Sequence, residues 1–166
     1  MPVPSGFAIR TFRGDHGARS YRPGTAEDDA TPIEYASGNP LALLEPRTRA
    51  LVVLLCLLRE PFPVAGRLLL GPPARDAGTR ALRALRAATR TISPTPLPRS
   101  LPNAYQLHRV LPDLLTRSAF VLKASGLFEH QDTIADLLGI HRATFYRSVT
   151  IATDTLSAYL HRRLSE

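Results

Sequence analysis

The stretch from Gln131 to Val149 constrains this chain more than any other. It reads Gln-Asp-Thr-Ile-Ala-Asp-Leu-Leu-Gly-Ile-His-Arg-Ala-Thr-Phe-Tyr-Arg-Ser-Val. Asp132 is placed to cap a short helix whose apolar stripe is Ile134, Leu137 and Leu138. Gly139, four residues after Ala135, supplies the positive φ of a tight turn. Ile140 plugs the angle between two helices, and Ala135 must be small because the second helix crosses over it. Phe145, Val149, Ala152 and Leu156 then recur at steps of 4, 3 and 4, one packing face of that second helix.

These residues resemble the helix-turn-helix of bacterial DNA-binding proteins. Ile134 to Arg147 is similar to the reading head of resolvases and of Fis-like or TetR-like regulators. The longer span through Leu156 is similar to region 4 of sigma factors, and the residues do not separate the two. The resemblance covers about 30 of the 166 residues. His141 stands where the family usually opens its second helix with Ser or Thr, so a weaker cap and a frayed boundary are expected.

The likeness implies that the N-terminal part of the second helix enters a major groove. Arg142, Ala143, Thr144, Tyr146, Arg147 and Thr150 would then touch DNA. Arg147 suits a bidentate bond to a guanine edge, and Thr144 or Ala143 suits a thymine methyl. Arg142 and Tyr146, at the margins of the face, suit phosphates, with packing as the alternative for Tyr146. Ala135, Gly139, Ile140, Phe145 and Val149 are the scaffold of the motif.

Charge points the same way. Lys and Arg number 21 against 14 Asp and Glu, for a net charge of +7, and an excess of this kind favours a polyanion as partner. The excess is concentrated in the middle of the chain. Arg59 to Arg109 holds nine arginines against Glu60 and Asp76, whereas Thr116 to Glu166 is nearly balanced. A helix expected over Asp76–Arg90 places Arg80, Arg83, Arg86 and Arg90 on one arc, with Leu82, Leu85, Ala88 and Ala81 on another. No acid is interleaved, so the arginines repel one another. Phosphates would relieve that repulsion; a merely solvated face is the alternative.

Along the chain, residues 1–40 carry five Gly and five Pro with no apolar period, and a disordered arm is expected there. Pro46 suits a first helical turn. Arg47–Leu58 is apolar nearly all round, as a central buried helix should be. Pro61 and Pro63 stop it, Val64–Leu70 reads as a second helix, and Gly71-Pro72-Pro73 breaks that one. Residues 104–110 alternate, with Tyr105, Leu107 and Arg109 on one side, which suits one strand of a two-stranded ribbon. Three helices and such a ribbon would resemble a winged helix-turn-helix, with Arg99 near the wing tip. Another helical stretch starts at Leu111 and ends at Ser125-Gly126. The expected fold is therefore mainly α. It comprises a winged-helix-like module over 41–110 and a helix-turn-helix module over 111–166. The last helix, with Leu156, Tyr159, Leu160 and Leu164, either packs back or pairs with a second copy in a homodimer.

Several chemistries have no support in the residues. Cys56, the single cysteine, lies inside an apolar run and reads as core, and a disulfide framework is excluded. His16, His108, His130, His141 and His161 fall at no metal-ligand spacing. Gly66 to Gly71 lacks the Gly-Lys-Ser/Thr of a phosphate loop. No enzyme activity, metal or cofactor is expected. The N-terminal residues show no leader pattern, and the apolar run Leu51–Leu58 is far short of the roughly 20 residues that span a bilayer. A cytoplasmic protein without a membrane partner is the expectation. Double-stranded DNA is the expected partner and transcription regulation the expected role. A plasmid or phage replication initiator, or a sigma-like protein that binds RNA polymerase, are the alternatives.

Overall fold

The computed structural model describes residues 39–92 and 97–166. The arm expected over residues 1–40 thus lies outside the described residues, except for Asn39 and Pro40. A short 3-10 turn, Pro40–Leu43, leads in, capped by Asn39 Oδ1, which accepts from Leu41 N at 3.0 Å. Helix α1 begins at Pro46–Val52 and runs on through a wider π winding at Val53–Leu57. Every residue from Ala50 to Leu58 is buried apart from the half-buried Cys56, so α1 is the apolar centre that its composition implied. Burial pushes the Cys56 thiol pKa up, which makes it a poorer nucleophile.

Helix α2 is Phe62–Leu70, and α3 is Ala77–Thr91. Pro63 sits in the first turn of α2, where a missing N–H costs nothing. The prolines that end α1 therefore also open α2. The two helices meet at their backbones: a Cβ on Gly66 would collide with the Ala77 carbonyl, and one on Gly78 would lie 3.2 Å from Pro63 Cγ.

Residues 104–110 are not a strand. Ala104–Val110 forms helix α4, and no strand occurs among the described residues. The expected two-stranded ribbon, and with it the winged module, is not supported. The buried residues here are Ala104, Leu107 and Leu111, a helical spacing rather than a period of two. Arg99 is exposed in the coil before α4 instead of at a wing tip.

Helix α5, Leu114–Ala124, is capped by Asp113, whose Oδ2 accepts from Thr116 N at 2.8 Å. Helices α6, Gln131–Leu138, and α7, Arg142–Ser165, complete the chain. One apolar core takes residues from all seven helices, from Ala50 of α1 to Leu156 of α7. The stretches before and after residue 110 therefore share it. A second cluster joins Leu41, Leu44 and Val52 to Ala88 and Ile92 at the end of α3.

Two polar fastenings tie distant segments together. Glu60 and Arg117 are 4% and 6% exposed; Arg117 Nε donates to Glu60 Oε1 at 2.6 Å, and its Nη1 donates to the Leu111 carbonyl at 2.8 Å. His108 Nε2 lies 2.6 Å from the Leu58 carbonyl. Removing either member of the buried pair would strand the other's charge. Arg49 donates to the carbonyls of Leu41, Ala42, Leu44 and Leu127. It binds the entry segment of the chain to the loop before α6.

Candidate nucleic-acid interface

The turn between α6 and α7 has the geometry its glycine implied. Gly139 adopts φ 65° and ψ 32°. Gly139 N donates to Asp136 O at 3.1 Å, and Ile140 N donates to Ala135 O at 3.0 Å. This reversed pair of bonds closes the end of α6 in the manner of a Schellman cap. A Cβ at Gly139 would meet nothing within 4 Å, so the position demands its φ and not space. Ala135 and Phe145 are buried, Val149 is too, and Ile140 packs at the edge of the core.

Two details of the turn differ from expectation. Helix α6 starts one residue before Asp132, with His130 as N-cap and no side-chain cap bond. Asp132 is not the cap, because it lies inside the first turn. His141, expected to cap poorly, does cap α7: its Nδ1 accepts from Ala143 N at 3.2 Å. An imidazole nitrogen held at the right distance does the work of a hydroxyl oxygen.

The face of α7 opposite its packing residues is open. Arg142, Ala143, Thr144, Tyr146, Arg147 and Thr150 are all exposed. Thr150 Oγ1 donates to Tyr146 O at 3.0 Å. Tyr146 both packs and faces outward: its ring lies edge-on to Phe145 at 5.5 Å, and it remains 38% exposed. Arg142 is held by its neighbours. Its Nε forms an ion pair with Asp132 Oδ1 at 2.9 Å, and its guanidinium carbon lies 5.7 Å from the Tyr146 ring centre. The Tyr146 side chain, ahead of the Asp132 carboxylate, raises the Arg142 pKa.

Sequence reasoning passed over Ile151, which is 48% exposed. It lies one turn beyond Arg147 on the same face. Its place on the helical wheel, 40° from Arg147 at about 100° per residue, was the available signal.

The arginine row of α3 divides. Arg83, Arg86 and Arg90 are exposed, and none has a carboxylate within ion-pair distance among the described residues. Arg80 turns back instead. It donates to the carbonyls of Leu70, Gly71, Pro72 and Pro73, at 3.1, 2.5, 3.3 and 2.7 Å. It clamps the loop between α2 and α3 and is not part of the open face. On the opposite side, Ala81 and Ala88 are buried and Leu85 half-buried, but Leu82, expected in the core, is 38% exposed.

Among the described residues no group of His, Cys, Asp and Glu is arranged to hold a metal. No helix among them is long and apolar enough to cross a membrane. No family model, curated protein or solved structure matches the chain.

Proposed function

We propose that the chain is a DNA-binding regulator of transcription that reads duplex DNA with the N-terminal face of α7. The observation that carries this reading is the α6–turn–α7 unit. A left-handed glycine and a reversed hydrogen-bond pair set the two helices, and six mostly polar side chains stand exposed on the first turns of the second. Arg147 is the candidate base reader, with Thr144, Ala143 and Thr150 beside it. Arg142 and Tyr146 serve phosphates at the rim. Arg83, Arg86 and Arg90 add sequence-independent attraction from α3.

Selection of bound duplexes from a random library, followed by Arg147→Ala, tests the proposal. The expected result is an enriched sequence motif. Discrimination between that motif and a mutated copy should fall by about 1–3 kcal/mol in the variant, with thermal stability unchanged. If no motif is enriched, or if Arg147→Ala discriminates like the wild type, α7 does not read a major groove.

A further inference from the structure

The ion pair across the helix-turn-helix assigns Asp132 a task of its own. We infer that Asp132 is a positioning residue, which aims the Arg142 guanidinium at a phosphate of the duplex backbone. The inference rests on the DNA-binding reading of α7 and extends it to a residue on α6.

The geometry carries it. Asp132 lies in the first turn of α6, and Arg142 is the first residue of α7. Their contact therefore joins the exposed beginnings of the two helices. The contact is an ion pair at Arg142 Nε, 2.9 Å from Asp132 Oδ1. Among the described residues Arg142 pairs with no carboxylate other than Asp132. An arginine paired at its Nε edge offers a ligand its outer pair of N–H groups as a fork, the geometry that suits a phosphate. The Tyr146 ring, 5.7 Å from the guanidinium carbon, limits its swing on a second side. An unheld arginine would lose side-chain freedom on binding, and one already held loses less.

Positioning and plain charge predict opposite signs. A surface carboxylate near DNA repels phosphates, so removing one that only repels strengthens binding. Removing a carboxylate that aims an arginine weakens binding. Asn keeps the accepting oxygen but not the charge, so it separates the two.

The test uses the full chain and two probes: a mixed-sequence 30-base-pair duplex and the best duplex from the random library. Asp132→Ala should weaken binding to the selected duplex about three- to tenfold. It should also lower the slope of log K against log salt by up to about one, as should Arg142→Ala. Asp132→Asn should stay within about twofold of the wild type. Asp132→Ala added to Arg142→Ala should have no further weakening effect, since a positioning residue acts only through the group it positions.

In the free protein, nitrogen relaxation should show the Arg142 side chain less mobile than that of Arg147, and this restriction should be lost in Asp132→Ala. Equal or tighter binding by Asp132→Ala would overturn the inference, as would an Arg142 side chain as mobile as that of Arg147 in the wild type. If the wild type binds neither probe, the DNA-binding reading fails and the inference falls with it. If the wild type binds and Arg142→Ala changes nothing, the inference alone is overturned.

Discussion

The open faces of α3 and α7 differ in what surrounds their arginines. On α3, Arg83, Arg86 and Arg90 stand among alanines and threonines with no carboxylate at ion-pair distance among the described residues. On α7, Arg142 is tethered to Asp132, and Arg147 stands among Ala143, Thr144, Thr150 and Ile151. A row of identical charges matches a phosphate backbone, which repeats. A mixed face matches base edges, which vary. If both faces meet one duplex, α3 supplies strength and α7 supplies choice.

The largest expected effects lie beneath the two faces and differ in cause. Gly66 is fixed by space, since a Cβ there would collide with the Ala77 carbonyl, whereas Gly139 is fixed by its φ of 65° alone. Gly66→Val should destabilise the protein by about 3 kcal/mol, because backbone cannot give way as a side chain can. Gly139→Val should cost about 1–3 kcal/mol, and Gly139→Asn much less, because Asn tolerates the left-handed region. Urea unfolding would measure all three. Equal penalties for Asn and Val at Gly139 would show that space matters there after all.

Replacing Arg83, Arg86 and Arg90 together by Ala should lower the salt slope by about 2.7, at roughly 0.9 for each phosphate contact. That amounts to about 40-fold less affinity lost between 50 and 200 mM salt. The motif preferred by α7 should not change. Arg80→Ala should instead lower stability and leave the slope alone, because Arg80 already serves four carbonyls. A slope change for Arg80→Ala would put it back on the binding face.

The supports under the two faces also differ in how they are capped. Asp113 caps α5, on which α7 packs, whereas Asp76 before α3 makes no side-chain cap bond. The Thr116 backbone N–H, then its side chain, holds the Asp113 carboxyl below the usual carboxylate range. A lowered folded pKa gives stability that is complete above the unfolded value of about 3.9 and lost as pH falls through the folded value. Asp113→Ala should therefore cost about 1 kcal/mol at neutral pH and progressively less in stronger acid. Asp76→Ala should cost less than Asp113→Ala at neutral pH, because Asp76 makes no side-chain cap bond to lose. The smallest effect belongs to Ile151→Ala, which should reduce discrimination at one thymine by less than about 1 kcal/mol.

The sequence was most readable where one short segment holds all the information. Gly139 and the steps through Phe145, Val149, Ala152 and Leu156 define their turn and face without outside help. Residues 104–110 were ambiguous for the opposite reason: Leu107 fits both a strand and a helix. The deciding burials, Ala104 and Leu111, are not part of the alternating pattern. Arg80 shares an arc with Arg83, Arg86 and Arg90, and only the folded loop of Leu70 to Pro73 shows that it faces inward. Glu60 and Arg117 are 57 positions apart, so no local pattern could pair them. Asp132 looked like a cap because its role depends on Arg142, across a turn.

The shared core also governs the order in which the chain can fold as it is made. Helix α1 leaves the ribosome early, yet it packs against α6 as well as α3. The fourth carbonyl that Arg49 holds belongs to Leu127. From Leu58 to Leu138 synthesis must add 80 residues, which at roughly 5–20 residues per second takes on the order of 4–16 s. For that interval the most apolar segment of the protein waits for its cover. Nascent chains stalled short of α6 should be bound by chaperones, and chains stalled far enough beyond it for α6 to emerge should be released.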